Sequence, residues 1–179
     1  MKILLHTCCA PCMIYPAEKL KKDGLEVIGF FYNPNIHPLE EYRKRRGAVE
    51  DFAGENKIEI IFPEYVESEF FNAVGENKDR PQRCSACWAL RLKKTAHMAK
   101  EKGFNFFTTT LLVSPYQNQE LLKKIGRDIA QVEGIEFYYE DFRPGFRMAH
   151  TQAKEQGIYC QNYCGCMFSE IERHKELAR

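Results

Sequence analysis

The sequence predicts an α/β fold, in which a mostly parallel sheet is covered by helices on both faces. Short runs rich in Ile, Val, Phe, Tyr and Thr alternate along the chain with longer amphipathic stretches. This alternation is typical of strand–helix units in a parallel sheet. The 179 residues suit one domain, and no internal repeat or low-complexity linker divides them. We therefore expect a single domain over residues 1–179 with a Rossmann-like or HUP-like architecture.

The individual elements follow from composition and from the glycines that end helices. The predicted strands, rich in β-branched and aromatic residues, are 2–8, 26–33, 58–63, 105–112 and 135–141. The predicted helices are 12–22, 38–56, 84–102, 117–133, 147–156 and 166–177. Glycines at expected C-cap positions are Gly24, Gly103, Gly134 and Gly157. The charged segment 66–82 predicts either a loop insertion or a short helix.

Composition and hydropathy exclude several classes of protein. The net charge of +1 provides no overall field that would draw the chain onto nucleic acid, although a local basic run lies at 43–46. No apolar run is long enough to span a membrane, and the first strand is too short for the core of a secretion signal. We therefore expect a cytoplasmic protein without a membrane partner.

The eight cysteines fall into three tight groups, and this distribution is the main functional signal. The groups are Cys8-Cys9-Ala10-Pro11-Cys12, Cys84-Ser85-Ala86-Cys87, and Cys160 with Cys164-Gly165-Cys166. Cysteines spaced this closely usually serve metal ligation, redox exchange or disulfide formation. Structural disulfides are rare in the cytoplasm, so the pattern indicates a metal centre, a redox site or both.

Polar and sulfur-bearing residues follow the predicted strands, and an open parallel sheet binds its ligands at that edge. Cys8, Cys9 and Cys12 come directly after the first strand. The residues that follow the second, fourth and fifth strands are Asn33, Asn35 and His37, then 108–116, then Asp141, Arg143 and Arg147. We expect the functional site at the carboxyl ends of the strands.

Cys84 and Cys87 begin a predicted helix, whose N-terminus stabilises thiolate charge. Together with Cys8 and Cys9 they supply four thiolates, enough for a [4Fe–4S] cluster or a tetrahedral zinc. Adjacent cysteines make a poor zinc knuckle but can bind different irons of a cluster, so the spacing favours iron–sulfur. Cys12 is left as a fifth thiolate, a ligand of an additional metal, or a residue without a role.

Cys164 and Cys166 are separated by one glycine. A disulfide between them would close a strained, easily reduced ring. This pair suits two-electron exchange, with metal ligation as the competing interpretation. Cys160 is interpreted as incidental.

A rival interpretation concerns Cys9-Ala10-Pro11-Cys12, which resembles the strand–CxPC–helix site of thioredoxin. A thiol oxidoreductase of that kind needs no iron. A zinc-stabilised RNA-binding module without catalysis is a further alternative. A nucleotide-binding tRNA-thiolation enzyme would need a glycine-rich phosphate loop after the first strand, where cysteines stand instead. We therefore expect no ATP.

Taken together, the motifs resemble the QueH family of epoxyqueuosine reductases over nearly the whole chain. The matching segments are Leu4-Leu5-His6-Thr7-Cys8-Cys9-Ala10-Pro11-Cys12, Phe31-Tyr32-Asn33-Pro34-Asn35-Ile36-His37-Pro38, Arg83-Cys84-Ser85-Ala86-Cys87-Trp88 with Arg91-Leu92, Thr108-Thr109-Thr110-Leu111, Ser114-Pro115-Tyr116-Gln117-Asn118, and Tyr163-Cys164-Gly165-Cys166-Met167-Phe168-Ser169. Members of the family commonly carry arginine where this chain has Cys160.

The resemblance implies reduction of epoxyqueuosine to queuosine at the wobble position of tRNA, the last step of queuosine biosynthesis, without cobalamin. It implies a [4Fe–4S] cluster on Cys8, Cys9, Cys84 and Cys87 and a redox-active pair at Cys164 and Cys166. The expected partners are tRNA bearing epoxyqueuosine in its anticodon loop and an electron donor that the sequence does not identify. An additional iron ion, with Cys12 or Asp141 as ligand, is left open.

The reaction also requires a proton donor and contacts to the anticodon loop. Candidate proton donors, by predicted position, are His6, His37, Tyr116 and Asp141. Candidate stacking residues are Tyr32, Tyr116, Trp88 and Phe146, of which Trp88 falls on the apolar face of a helix. Candidate phosphate contacts are Arg43, Arg45, Arg46, Arg143 and Arg147, and we expect the run from Arg43 to Arg46 to touch tRNA.

Overall fold

The computed structural model describes residues 1–178. Its strands form one five-stranded sheet: β1 (Lys2–His6), β2 (Glu26–Phe30), β3 (Ile60–Ile61), β4 (Phe106–Thr109) and β5 (Glu136–Phe137). Every strand pair is parallel, and the spatial order is β3-β2-β1-β4-β5. The predicted parallel α/β fold is confirmed.

The helices of the described chain are α1 (Ala10–Lys22), α2 (Leu39–Glu55), α3 (Glu67–Val74), α4 (Gln82–Glu101), α5 (Gln119–Glu133), α6 (Phe146–Glu155) and α7 (Met167–Leu177). Helix α1 packs against α6, and α4 packs against α5, so that helices cover both faces of the sheet. All the predicted helices are present with shifted ends, and the segment 66–82 contains the short helix α3. Gly134 ends α5 as predicted, with a φ of 67° that glycine adopts without strain.

Strand β1 is the centre of the sheet. Its residues Ile3, Leu4 and Leu5 are all 0 % exposed, and consecutive burial of this kind marks a strand covered on both faces. From β1 the chain runs outward to β2 and β3, then returns to place β4 on the other side of β1. The carboxyl ends of β1 and β4 therefore form the topological switch point, where sheets of this kind bind ligands.

The strands are shorter than predicted. Strand β4 ends at Thr109 because the chain turns into a 3₁₀ helix, Thr110–Val113, and the Thr109 hydroxyl accepts a hydrogen bond from the Leu111 amide at 3.1 Å. Strand β3 is an edge strand that pairs with β2 alone.

Within residues 1–178, no helix has both the length and the apolar character needed to cross a bilayer.

Candidate metal and redox site

The first cysteine group lies at the switch point, directly after β1. The sulfurs of Cys8, Cys9 and Cys12 all lie within 4.8 Å of one another. Cys9 precedes the first residue of α1, and Cys12 lies in its first turn. Cys9 and Cys12 are 1 % and 6 % exposed, whereas Cys8 is half-buried. Three soft donors in one shielded position suit a thiophilic metal.

Cys8 is the thiol of this group that carries negative charge most readily. Hydrogen bonds from Cys12 and then Cys9 hold the pKa of Cys8 well below its usual value, and the hydroxyl of Thr110 donates to its sulfur at 3.3 Å. The amide of Cys8 donates in turn to the Thr110 oxygen at 3.1 Å. The pKa of Cys9 is raised, chiefly by burial, and that of Cys12 chiefly by its hydrogen bond to Cys8.

Cys9 also accepts a hydrogen bond from the C-terminal part of the chain. The side-chain amide of Gln161 donates to its sulfur at 2.9 Å. The neighbouring Cys160 thiol is half-buried and donates to the carbonyl of Ile158 at 3.4 Å, without joining the group. Gln161 rather than Cys160 is therefore the residue of this segment that contacts the site.

The second group begins α4. Cys84 is half-buried and Cys87 is 7 % exposed. Cys87 packs with Phe70, Val74 and Cys166 in a small apolar cluster. Burial raises the pKa of Cys87 to about 12, against an opposing effect of Arg91. Cys84 and Cys87 lie outside the compact group around Cys8. The separation of Cys84 and Cys87 from the Cys8 group is compatible with a [4Fe–4S] cluster, because the ligands of such a cluster bind four different irons rather than one ion.

The third group lies on a loop that Arg45 holds in place. Arg45 donates from Nη1 to the carbonyl of Cys164 at 3.0 Å and from Nη2 to that of Tyr163 at 3.1 Å. Cys164 is exposed, and the Gln117 amide lies 3.9 Å from its sulfur. Cys166 is buried at the start of α7, where its sulfur accepts from the Ser169 amide at 3.4 Å. Both thiols of this pair are free.

The three groups converge around Arg91, which is 1 % exposed. Burial alone would lower the pKa of Arg91, but the sulfurs of Cys87, Cys164 and Cys8 raise it. Those three sulfurs come one from each group. Residues that are far apart in the chain therefore share one electrostatic environment at the carboxyl ends of the strands. All three groups also lie at the beginning of a helix, where the macrodipole stabilises negative charge.

The candidate proton donors are mostly engaged in structural contacts. His6 is 0 % exposed, and its ring contacts the Thr109 hydroxyl at 2.9 Å and the Tyr32 carbonyl at 3.2 Å. Burial and then Arg91 lower the pKa of His6 to about 3, so the ring is neutral. Asp141 accepts two hydrogen bonds from the Arg143 guanidinium. His37, 7 % exposed, stacks on Phe71.

The candidate tRNA contacts divide by exposure. Tyr32 and Trp88 are buried, at 3 % and 4 %, and cannot stack on a base. Tyr116 is 82 % exposed beside the site and packs edge-on against Phe146. Arg43, Arg46, Arg143 and Arg147 are exposed.

Arg45 is the exception among the predicted phosphate contacts, and its prediction as part of a tRNA-binding run is wrong. Arg45 is 1 % exposed and pairs with Glu41 at 2.7 Å. A guanidinium that faces the protein interior and already has a carboxylate partner has no surface to offer a phosphate.

Sequence reasoning assigned no role to three residues of the site. Arg91 lies four residues after Cys87, which is the spacing of side chains on one helix face, so a signal for it was present. Thr110 and Gln161 contact Cys8 and Cys9 from positions 102 and 152 residues away. No local pattern could have indicated those two contacts.

The residues present fit a metal–sulfur centre. The donor set is composed of thiols, most of them shielded from water, and thiolates select iron–sulfur clusters or zinc over magnesium or calcium. The buried guanidinium of Arg91 lies near these thiols, and its positive charge would offset the negative charge of a metal–thiolate centre.

A family profile and several named relatives that match this chain carry the same family name. The profile of the family described as epoxyqueuosine reductase QueH matches residues 3–172. Relatives named epoxyqueuosine reductase QueH include one from Thermotoga maritima, 38 % identical over 99 % of this chain and 96 % of its own. Another, from Dehalococcoides mccartyi, is 36 % identical over 96 % and 94 %. A third, from Streptococcus pyogenes, is 34 % identical over 93 % and 69 %.

Among solved structures, the chain is similar to a protein described as a predicted subunit of tRNA methyltransferase from Methanocaldococcus jannaschii. The TM-score is 0.59 at 12 % identity, covering 87 % of this chain and 74 % of the other. That likeness concerns the fold alone. The family match over nearly the whole length, together with the three cysteine groups at one edge of the sheet, shows that the chain belongs to the epoxyqueuosine reductase QueH family.

Proposed function

We propose that this protein reduces epoxyqueuosine to queuosine at the wobble position of tRNA, the last step of queuosine biosynthesis. The convergence of three cysteine groups around Arg91 at the switch point is the observation that carries the proposal. Membership of the family supplies the reaction. The convergence supports it because it joins a metal-binding donor set to a separate pair of thiols.

We assign Cys8, Cys9, Cys84 and Cys87 as ligands of a [4Fe–4S] cluster. When bound, such a cluster would supply single electrons, and an iron with an open position would supply Lewis acidity. Cys12 lies within 4.8 Å of Cys8 and Cys9, so it is the residue placed to hold an additional iron. Thr110 and Gln161 would orient the ligating sulfurs through their hydrogen bonds.

Cys164 and Cys166 are assigned as the two-electron donor. Opening the epoxide to an alkene consumes two electrons and two protons and releases one water. Two thiols supply both when they oxidise to a disulfide, so atoms and electrons balance. An external reductant, not identified by the structure, must then return the pair to the dithiol state. Exposure of Cys164 leaves one sulfur accessible to substrate and reductant.

The anticodon loop is proposed to bind on the exposed side of Cys164. The side-chain amide of Gln117 lies 3.9 Å from that sulfur, and the residue before it, Tyr116, has an exposed ring. An exposed aromatic side chain stacks on unpaired bases. Arg147, near Phe146 at the start of α6, is exposed and forms no ion pair with any residue of the described chain, so its charge is free for a phosphate.

The test begins with iron and acid-labile sulfide in protein purified without oxygen. We expect about four irons and four sulfides per chain, and more iron if Cys12 holds another ion. Anaerobic incubation with epoxyqueuosine-bearing tRNA and a reductant should then remove one oxygen atom from the base, as read by mass spectrometry. Cys164→Ser should keep the iron and lose turnover. A colourless protein with one zinc would contradict the proposal and favour an RNA-binding module.

A further inference from the structure

Among residues 1–178, three arginines are almost completely buried: Arg45, Arg83 and Arg91, at 1 %, 2 % and 1 % exposed. The first two have carboxylate partners. Arg45 pairs with Glu41 at 2.7 Å, and Arg83 pairs with Glu172 at 2.8 Å.

Arg91 differs from both. Its Nε donates to the carbonyl of Cys87 at 3.3 Å. Within residues 1–178, its Nη2 has no hydrogen-bond partner and no carboxylate forms an ion pair with it. A buried guanidinium without a counter-charge is strongly unfavourable, because removal of a cation from water costs several kcal/mol. Its persistence in the interior therefore points to an anion that shares its environment.

The groups that face Arg91 identify the chemistry of that anion. The sulfurs that act on its charge belong to Cys87, Cys164 and Cys8. Metal binding deprotonates its cysteine ligands, and four thiolates outweigh the positive charge of an iron–sulfide core. A metal–thiolate centre therefore supplies the missing negative charge.

We propose that Arg91 is the buried counter-charge of this metal–thiolate centre, with Nη2 as the hydrogen-bond donor available to its sulfurs. The inference rests on the proposed function and extends it to the tuning of the centre. A fixed positive charge and hydrogen bonds to the sulfurs both favour the reduced, more negative state. Arg91 therefore raises the reduction potential of the centre and stabilises its binding.

The experiment compares Arg91→Gln and Arg91→Lys in protein purified without oxygen. In Arg91→Gln we expect the ratio of reduced to oxidised centre at a fixed potential to fall at least tenfold, equal to 59 mV for a one-electron couple. Iron content should fall as well. Arg91→Lys keeps the charge and should retain most of the iron and of the potential. Arg127→Gln, which removes an exposed charge on α5, is the control and should change neither quantity.

Stability of the metal-free chain separates this role from a structural one. Without its anion, Arg91 is unpaired, so Arg91→Met should make the metal-free protein more resistant to urea. Arg83→Met removes a paired arginine and should make it less resistant, because the hydrogen bonds of Arg83 to the Glu172 carboxylate and the Lys78 carbonyl are lost. If Arg91 had a purely structural role, both Arg91→Met and Arg83→Met would lower the stability of the metal-free protein. Because this measurement needs no metal, it distinguishes the two roles even if Arg91→Gln fails to load iron.

Two results would overturn the inference. One is an unchanged potential with full iron in Arg91→Gln, and the other is a metal-free Arg91→Met that unfolds more easily than wild type. Failure of the proposed function is distinguishable from either. In that case the wild-type centre would show the Arg91-dependent potential but would not convert epoxyqueuosine-bearing tRNA.

Discussion

The hydroxyl of Thr110 bridges the backbone amide and the sulfur of Cys8 across the switch point. The amide of Cys8 donates to the threonine oxygen at 3.1 Å, and the hydroxyl donates to the cysteine sulfur at 3.3 Å. One threonine thus connects the end of β4 to the first thiol of the site. The pair fixes the position of the sulfur and stabilises its negative charge.

Thr110→Val should raise the pKa of the Cys8 thiol, because it removes a donor that helps to hold that pKa below its usual value. The pH midpoint for alkylation of Cys8 in metal-free protein should move upward. The unfolding free energy should fall by about 1 kcal/mol. Thr110→Ser keeps the hydroxyl and serves as control. The same midpoint in Thr110→Val and wild type would contradict the assigned contact.

Arg45→Met should destabilise the protein by about 3 kcal/mol or more, because Glu41 is left as a buried charge. The double variant Arg45→Met/Glu41→Leu should recover much of that loss, as replacement of a whole buried pair often does. Arg46 lies on the same helix and is exposed, so Arg46→Met is the matched control and should change the unfolding free energy little. Urea unfolding measures all three, and equal effects of Arg45→Met and Arg46→Met would contradict the burial of Arg45.

Gly165→Ala should distort the loop between Cys164 and Cys166. Gly165 has a φ of 136°, and an added Cβ would lie 3.2 Å from the side chains of Asn35 and Ile36. We expect a loss of about 1–3 kcal/mol in unfolding free energy and a lower rate of tRNA reduction.

Gly47→Ala is the matched glycine control, because nothing lies within 4 Å of its added Cβ. This helical position of α2 should gain about 0.5–1 kcal/mol. If Gly165→Ala were as stable and active as wild type, the described loop geometry would be wrong.

Acid should destabilise the metal-free protein through His6. Burial and Arg91 lower the pKa of folded His6 from 6.5 to about 3, so between these values the unfolded chain binds a proton that the folded chain does not. Stability from this group is complete above pH 6.5 and falls with decreasing pH by about 1.4 kcal/mol per pH unit. Urea unfolding at pH 7 and pH 5 should show a smaller pH dependence for His6→Gln than for wild type. His97→Gln, with a 66 % exposed side chain, should keep the wild-type slope.

Tyr116→Ala should weaken binding of an anticodon stem-loop by about 1–3 kcal/mol, the range for one stacked base. Tyr116→Phe keeps the ring and should bind as wild type does. Val132→Ala, 81 % exposed on α5, controls for loss of exposed apolar surface. Fluorescence anisotropy with labelled stem-loop measures each affinity, and unaltered binding by Tyr116→Ala would place the stacking surface elsewhere.

The position of the site was predictable because parallel strands bring their carboxyl ends to one edge. Cys8 and Thr110 follow β1 and β4, and the alternation of strands and helices was sufficient to place them at the same edge, though not to predict their contact. The burial of Arg45 was not predictable in the same way. Its basic neighbours suggested a surface helix, but the later loop that carries Cys164 packs against its guanidinium. Whether an arginine is exposed depends here on a segment 119 residues away.

The same long separations have a consequence for biosynthesis. Cys9 is translated 152 residues before Gln161, and the Cys164–Cys166 pair follows later still. Since chains fold as they are made from the N-terminus, the first thiols leave the ribosome long before their later neighbours. Metal loading of the complete site therefore waits for the segment that carries Cys164 and Cys166, and the nascent protein must keep its first cysteines reduced until that segment has folded.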